Sequence, residues 1–106
     1  MRVDDETIAR VWQHARAFTE LSADLWRKDE CGAWMRREHY GREDSEFGWR
    51  IVNISAGGPD APENLRPLHH RNAYDPALQR AKCAVTADQT SLPATARVLE
   101  PRNRDA

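Results

Sequence analysis

The first twenty residues carry an apolar stripe on a polar background. Apolar side chains recur at three- and four-residue spacing, at Ile8, Val11, Trp12, Ala15 and Phe18. Such spacing places side chains on one face of a helix. Asp4 or Asp5 precedes the stripe and is a favoured N-cap residue. We therefore predict a helix over residues 5–21 whose stripe packs into the core.

The hydrophobic pattern changes after Cys31. Glycines separate two short runs, residues 33–40 and 47–54, that are rich in aromatic and β-branched side chains. Such composition favours strands, and the polar stretch between the runs suits the turn of an antiparallel hairpin. Residues 33–39 also contain good helix formers, so a helix stays an alternative there.

The second half of the chain is less regular. Gly57–Asp60 has turn composition, and Pro67 interrupts residues 63–68, which we therefore expect to be irregular. Residues 69–74 can form a short helix that ends before a proline. Residues 89–106 contain two prolines and few large apolar side chains, so we expect a loosely ordered tail.

A length of 106 residues suits one domain. We expect an α+β fold in which the N-terminal helix packs on a hairpin-and-helix core over residues 26–75. This domain would span residues 1–88, and residues 89–106 would form the tail. Trp12 and Trp49 are expected in its core.

Charge and cysteine content narrow the function classes. Sixteen basic and seventeen acidic residues give a net charge of −1, which excludes a generally polycationic nucleic-acid binder. No apolar run reaches the roughly 18 residues of a membrane helix, and no apolar leader follows Met1. We therefore expect a cytoplasmic protein with no membrane partner. Cys31 and Cys83 are too few for a disulfide framework and are expected to be reduced.

An ordered set of short motifs lies in the middle of the chain. In order, the motifs are Trp26-Arg27-Lys28-Asp29, Cys31-Gly32-Ala33, Tyr40-Gly41, Phe47-Gly48-Trp49-Arg50-Ile51, Gly57-Gly58 and Asn64-Leu65-Arg66-Pro67-Leu68-His69. The set resembles small bacterial HNH-nuclease-like proteins, whose pattern runs RKD-x-x-GA, YG, GWE-I-D-H-I-x-P, GG-x-D and NLRPLH-x-x-NN. The resemblance covers residues 26–75. It implies a hairpin followed by a helix around one metal ion, a ββα-metal arrangement.

The sequence departs from this family at the positions that carry the chemistry. Val52 stands where the metal-binding Asp is expected, Asn53 where the general-base His is expected, and Ala73 where the second Asn of the final pair is expected. Only Asn64, which matches the middle Asn of the motif, is retained. Valine and alanine side chains have no lone pair, and an amide accepts no proton near pH 7. These replacements predict a pseudo-nuclease that has no catalytic residue and binds no metal.

Other side chains are candidates for partner contact. Arginines in and beside the predicted hairpin can contact phosphates, although nearby acidic residues make a solvated strand face the competing interpretation. His69 and His70 would point about 100° apart on a helix and could not chelate one ion together, so we interpret them as structural or solvated. The candidate binding residues are Trp34, Arg36, Arg37, Arg42, Arg50, His69, His70 and Arg71.

Three functions compete. We favour a non-catalytic binding protein, encoded by a phage or another mobile element, that inhibits a nucleic-acid-processing complex in the manner of an anti-CRISPR protein. Its expected partner is a protein or nucleoprotein complex, with nucleic acid as a second possibility, no cofactor, and an oligomeric state that the sequence leaves open. One alternative is an active endonuclease in which His39, His69 or His70 joins Asp60 or Asp75 around one divalent metal ion. The other is a sequence-independent DNA-binding module.

Overall fold

Short antiparallel strand pairs organise the chain. The computed structural model describes residues 3–55, 57–98 and 100–106. In chain order its elements are α1 (Asp5–Trp12), β1 (Trp26–Lys28), β2 (Trp34–Arg36), β3 (Trp49–Asn53), β4 (Leu65–His69), β5 (Ala73–Asp75), β6 (Arg80–Lys82), β7 (Val85–Thr86) and β8 (Arg104–Asp105). In the described residues, β1 pairs with β2, β3 with β4, β5 with β6 and β7 with β8, which gives four two-stranded sheets. The α+β class is therefore confirmed.

The N-terminal helix is shorter than the predicted 5–21. The Asp4 side chain caps it by accepting a hydrogen bond from the Thr7 amide at 2.8 Å, and the helix ends at Trp12. Beyond the helix, Arg16 pairs with Lys28 through two backbone hydrogen bonds of 2.9 Å. This pairing needs extended backbone at Arg16, so the helix cannot continue to residue 21. The apolar stripe continues as a turn and a loop.

The predicted pairing of residues 33–40 with 47–54 is wrong. β3 pairs instead with β4, which includes the predicted irregular residues 65–68. Pro67 lies opposite Ile51. At the two ends of the ladder, the Ile54 amide donates to the Asn64 carbonyl and the His70 amide to the Gly48 carbonyl, so these end pairs are hydrogen-bonded. Alternation from either end makes Ile51–Pro67 a non-hydrogen-bonded pair. The missing N–H of proline therefore breaks no ladder bond.

The core lies between α1, β2 and the β3–β4 pair. Trp12 and Trp49 are fully buried as predicted, with ring centroids 5.2 Å apart. Met35, Ile51 and Leu65 are buried in the same cluster. Each indole N–H has a partner, because Trp12 donates to the Ala23 carbonyl and Trp49 to the Arg36 carbonyl. The N-terminal helix thus packs on the core, as expected.

The structure has strand where a helix was predicted over residues 69–74. The chain turns after His69, with the Asn72 amide bonded to the His69 carbonyl, and enters β5 at Ala73. The Asn72 side chain accepts hydrogen bonds from the Ala84 and Val85 amides, at 2.7 and 2.9 Å. These bonds hold the two ends of the β5–β6 hairpin together. Among the described residues, the β3–β4 pair is therefore followed by a third strand rather than by the helix of a ββα arrangement.

Residues 89–106 are tied to the body of the domain, in contrast to the loosely ordered tail expected. β8 pairs with β7, and the Asn103 side chain donates to the carbonyls of Trp34 and Glu46. Arg102 forms an ion pair with Glu46 at 3.0 Å. The tail is held by polar contacts with distant residues, which low apolar content does not reveal.

Cys31 and Cys83 form a disulfide bond, so the expectation of reduced thiols is wrong. Their Cα atoms lie 5.5 Å apart although 52 positions separate them in the sequence. The bond joins the turn between β1 and β2 to the segment between β6 and β7. A hydrogen bond from the Ala87 amide, directly after β7, to the Gly32 carbonyl joins the next part of the chain to the same turn. Two cysteines this far apart in sequence gave no sign that the fold makes them neighbours.

Candidate functional site

Asn53 and Asn64 meet at one end of the β3–β4 pair. The Asn53 Nδ2 donates to the Pro59 carbonyl and to Asp60 Oδ1, both at 3.0 Å. Its Oδ1 accepts from the Ser55 amide at 2.8 Å. The Asn64 Nδ2 donates to the same Pro59 carbonyl at 3.1 Å. Both amides therefore hold the loop that joins the two strands.

Val52 lies beside Asn53 in the same strand, whereas Ala73 does not converge with them on one spot. Val52 is 9% exposed and lies opposite Arg66 in the ladder, one residue from Asn53. Ala73 opens β5, beyond the His69 end of β4. The ladder from Trp49–His69 to Asn53–Leu65 is four residues long, or about 13 Å. The four motif positions thus divide between opposite ends of the hairpin.

The residues at these positions do not fit the metal ion of the family. Val52 has no donor atom, and the Asn53 oxygen already accepts a backbone hydrogen bond. The carboxylate nearest to Asn53, Asp60, accepts its amide N–H. No group of three or more His, Cys, Asp or Glu side chains is placed to hold a metal ion in the part of the chain that the structure describes.

The alternative ligand residues lie on separate elements. His39 contacts the Ser45 hydroxyl, while Asp75 lies 3.8 Å from Lys82 and caps the turn of the β5–β6 hairpin. Asp60 is at the far end of the β3–β4 pair. The structure therefore brings no His of the rearranged-site hypothesis together with Asp60 or Asp75.

His69 and His70 contact the backbone rather than diverging on a helix. Their rings stack with centroids 4.5 Å apart. The Nε2 atoms of His69 and His70 lie 2.7 and 2.9 Å from the carbonyls of Glu46 and Ser45. The His69 Nδ1 accepts from the Arg71 amide, so its Nε2 carries the proton that bonds Glu46. Burial lowers the pKa of His69, which favours this neutral ring.

Four of the predicted contact arginines already have intramolecular partners. Arg36 pairs with Glu38, Arg42 with Asp44 and Arg71 with Asp105, at 2.9, 3.0 and 3.3 Å. The Arg50 Nη2 donates to the Asn72 carbonyl at 2.7 Å. Arg37 lies in a short 3₁₀ turn (Arg37–His39) and its backbone amide bonds to Leu25. A partner that binds Arg36, Arg42 or Arg71 would therefore have to compete with an ion pair within the chain.

Trp34 belongs to a half-buried row of rings and cations on the β1–β2 pair. Its ring lies 5.4 Å from that of Phe18 and 6.2 Å from that of Trp26. The Lys28 ammonium lies 4.8 Å from the Trp34 ring centroid and 4.9 Å from that of Phe18. The Arg36 guanidinium lies 5.0 Å from the Trp26 centroid. Such contacts are attractive because a ring face is electron-rich.

Sequence reasoning missed the central role of Asp29. This carboxylate is 2% exposed and accepts four hydrogen bonds, from the amides of Cys31, Ala33 and His69 and from the Asn72 side chain. It therefore joins the β1–β2 turn to the end of β4 and to the base of the β5–β6 hairpin. Asp29 is the last residue of the Trp26–Asp29 motif, and Asn72 matches the first Asn of the final pair in the pattern NLRPLH-x-x-NN. Their presence in the motif set was therefore a sequence signal that both residues matter.

Comparison with known proteins places the chain in no family. No family model, curated protein or solved structure matches it. None of the helices in the described residues has the length and apolar character of a membrane span.

Proposed function

We propose that this protein is a non-catalytic binding protein, with the motif set of a degenerate HNH-like protein, that inhibits or modulates a nucleic-acid-processing complex. One observation carries the proposal. Asn53, at the position expected for the general base, uses both atoms of its amide to hold the loop before Asn64. A side chain committed in this way neither takes a proton from water nor turns toward a metal ion.

The lost chemistry contrasts with the retained framework. Gly48 is an example, since a Cβ added there would lie 1.6 Å from the Arg42 carbonyl oxygen. Asp29 and Asn72 likewise keep their motif positions and bond to each other. Retention of framework residues without the acid–base pair supports selection for a surface rather than for hydrolysis.

We propose that the protein is encoded by a phage or another mobile element and that its partner is a host defence complex. A target of this kind implies action in the cytoplasm. Disulfide bonds are rare there, so the fold must tolerate reduction of the Cys31–Cys83 bond.

Two measurements test this function together. We expect the purified protein to nick no more supercoiled plasmid than buffer does, with Mg²⁺, Mn²⁺ or Ni²⁺. We expect its expression in cells with an active restriction or CRISPR system to raise phage plating efficiency at least about tenfold over an empty vector. Metal-dependent nicking that His69→Ala and His70→Ala variants lose would establish the endonuclease alternative instead. Unchanged plating in both kinds of host would remove the inhibitor function.

A further inference from the structure

A groove between the segment that follows α1, the end of β1 and the strand β4 is lined by basic side chains. Its volume is about 180 Å³, and Arg16, Lys28 and Arg66 contribute the positive charge, with His14 beside them. The groove shares no residue with the four degenerate motif positions, although Arg66 is the strand partner of Val52.

The fold brings the three cations to the same groove. The Arg66 Nη1 donates to the carbonyls of Glu63 and Leu65, at 2.9 and 2.8 Å, which leaves the other edge of its guanidinium for a ligand. Two hydrogen bonds hold the backbones of Arg16 and Lys28 side by side, so both residues line the groove. Placement of this kind lowers the entropy that a ligand must otherwise overcome.

The three cations have no carboxylate partner within ion-pair distance in the described part of the chain. Two acidic residues line the groove, Asp29 and Glu30. Asp29 is engaged by its four hydrogen-bond donors and Glu30 makes no ion pair. Burial and the neighbouring Asp29 raise the pKa of Glu30. Three cationic side chains therefore face two carboxylates in the groove. The balance of charge in the groove is positive.

We propose that this groove binds a phosphate group. Two arginine forks and one ammonium, brought from three segments, can surround the oxygens of a phosphate, and guanidinium geometry matches such an anion. The half-buried rings of Phe18 and Trp34 extend from the groove along Lys28. The phosphate can belong to a small molecule or to a nucleic-acid strand, and both are bound by the same side chains. This inference goes beyond the proposed function, since it requires neither a defence complex nor its inhibition.

The test compares two phosphate probes on the intact protein. Amide chemical shifts are followed by NMR during titration with inorganic pyrophosphate and, separately, with the single strand dT12 at about 50 mM salt. We expect the amides of residues 14–16, 28–30 and 66 to shift with at least one probe. Saturation by dT12 alone, with an affinity that falls steeply as salt rises, would identify a strand as the source. Saturation by pyrophosphate would identify a small phosphate ligand.

Matched variants separate a site from general charge attraction. Arg16→Gln and Arg66→Gln should each weaken binding about tenfold, the effect of losing a hydrogen bond between charged groups. Arg80→Gln removes the same charge from the exposed β5–β6 hairpin and should change affinity less than about twofold. Glu30→Gln should strengthen binding, because it removes a carboxylate that lines the groove.

Three outcomes would overturn the proposal. They are no shift with either probe, an equal loss in Arg80→Gln and the groove variants, and shifts that lie elsewhere. The Arg66 side chain makes hydrogen bonds within the protein, so Arg66→Gln can weaken binding by disturbing the fold. The Arg16 side chain makes none in the described residues, so weaker binding by Arg16→Gln reports on the site itself. A negative result here leaves the plating assay unaffected, so the two proposals fail independently.

Discussion

The β3–β4 pair and the β5–β6 hairpin have the same antiparallel geometry but are stabilised differently. Trp49, Ile51 and Leu65 of the first pair are buried against α1 and β2. The strands of the second have no fully buried residue, and Leu78 at its tip is 57% exposed. A two-stranded hairpin without a hydrophobic face is marginally stable by itself. The comparison shows that apolar packing stabilises the β3–β4 pair, whereas hydrogen bonds and a disulfide bond stabilise the β5–β6 hairpin.

The ties of the β5–β6 hairpin lie at its base. Asn72 precedes β5 and accepts hydrogen bonds from the amides that follow β6. Cys83 also follows β6 and is joined covalently to Cys31. Both ties lead to the turn that Asp29 organises. Asp29 is therefore the point through which the packed region and the exposed hairpin depend on each other.

The largest expected effect on stability is that of Asp29→Asn, because this variant weakens hydrogen bonds to both regions. The new amide group would place a donor against two of the four existing donors, and the charge that strengthens all four bonds would be lost. We expect unfolding free energy to fall by about 3–5 kcal/mol, measured by urea denaturation. Asp24→Asn is the matched control, since Asp24 is exposed, and it should change stability by less than about 0.5 kcal/mol. A similar small change in both variants would show that Asp29 does not link the regions.

The second prediction separates the regions. Replacing both cysteines by serine removes a cross-link between residues 52 positions apart, and we expect a loss of about 2–4 kcal/mol. In native-state hydrogen exchange, amides of β5 and β6 should lose protection while those of β3 and β4 change only with global stability. Reduction of the wild-type protein should reproduce both effects. Equal acceleration of exchange in the two hairpins would contradict the idea that the bond holds the exposed one.

The smallest expected effect is a pH dependence at the junction between the two regions. His69 ends β4, and its Nδ1 must stay unprotonated to accept from the Arg71 amide. Its pKa is lowered by burial from the ordinary value near 6.5, so the unfolded chain binds the proton first as the pH falls. Stability should therefore decrease as the pH is lowered through about 6.5.

The measurement is the urea midpoint at pH 7.5 and pH 5.5, in the wild type and in His69→Gln. His39 has a pKa lowered chiefly by burial and contributes in the same direction, so the variant should show a weaker slope rather than none. An unchanged slope in His69→Gln would assign the effect to other groups.

Sequence patterns predicted the elements whose stability is local or apolar. The start of α1 followed from Asp4 and the apolar stripe, and the burial of Trp12 and Trp49 followed from residue type. The pairing of β3 with β4 was missed because Pro67 counts against a strand, although it lies where the ladder needs no N–H. Propensity describes single residues, whereas register decides whether a given N–H is required.

For the candidate site, the sequence predicted the chemistry of single side chains but not their arrangement. That neither Val52 nor Asn53 can accept a proton near pH 7 follows from residue type without any structure. The role of Asn53 in holding Pro59 and Asp60 depends on a loop conformation that composition does not determine. The basic groove joins residues 14–16, 28–30 and 66, whose closeness results from the Arg16–Lys28 bridge and the position of β4.

The contact between Asn103 and Trp34 has a consequence for solubility at high concentration. The Asn103 side chain accepts from the Trp34 amide at 2.7 Å and donates to its carbonyl at 3.0 Å, as a neighbouring strand would. Exposed strand edges are templates on which a second chain can add. The Asn103 side chain therefore occupies the outer edge of β2 at Trp34, and the Phe47 carbonyl occupies it at Arg36. Replacing Asn103 by an apolar residue would open this edge to intermolecular strand addition.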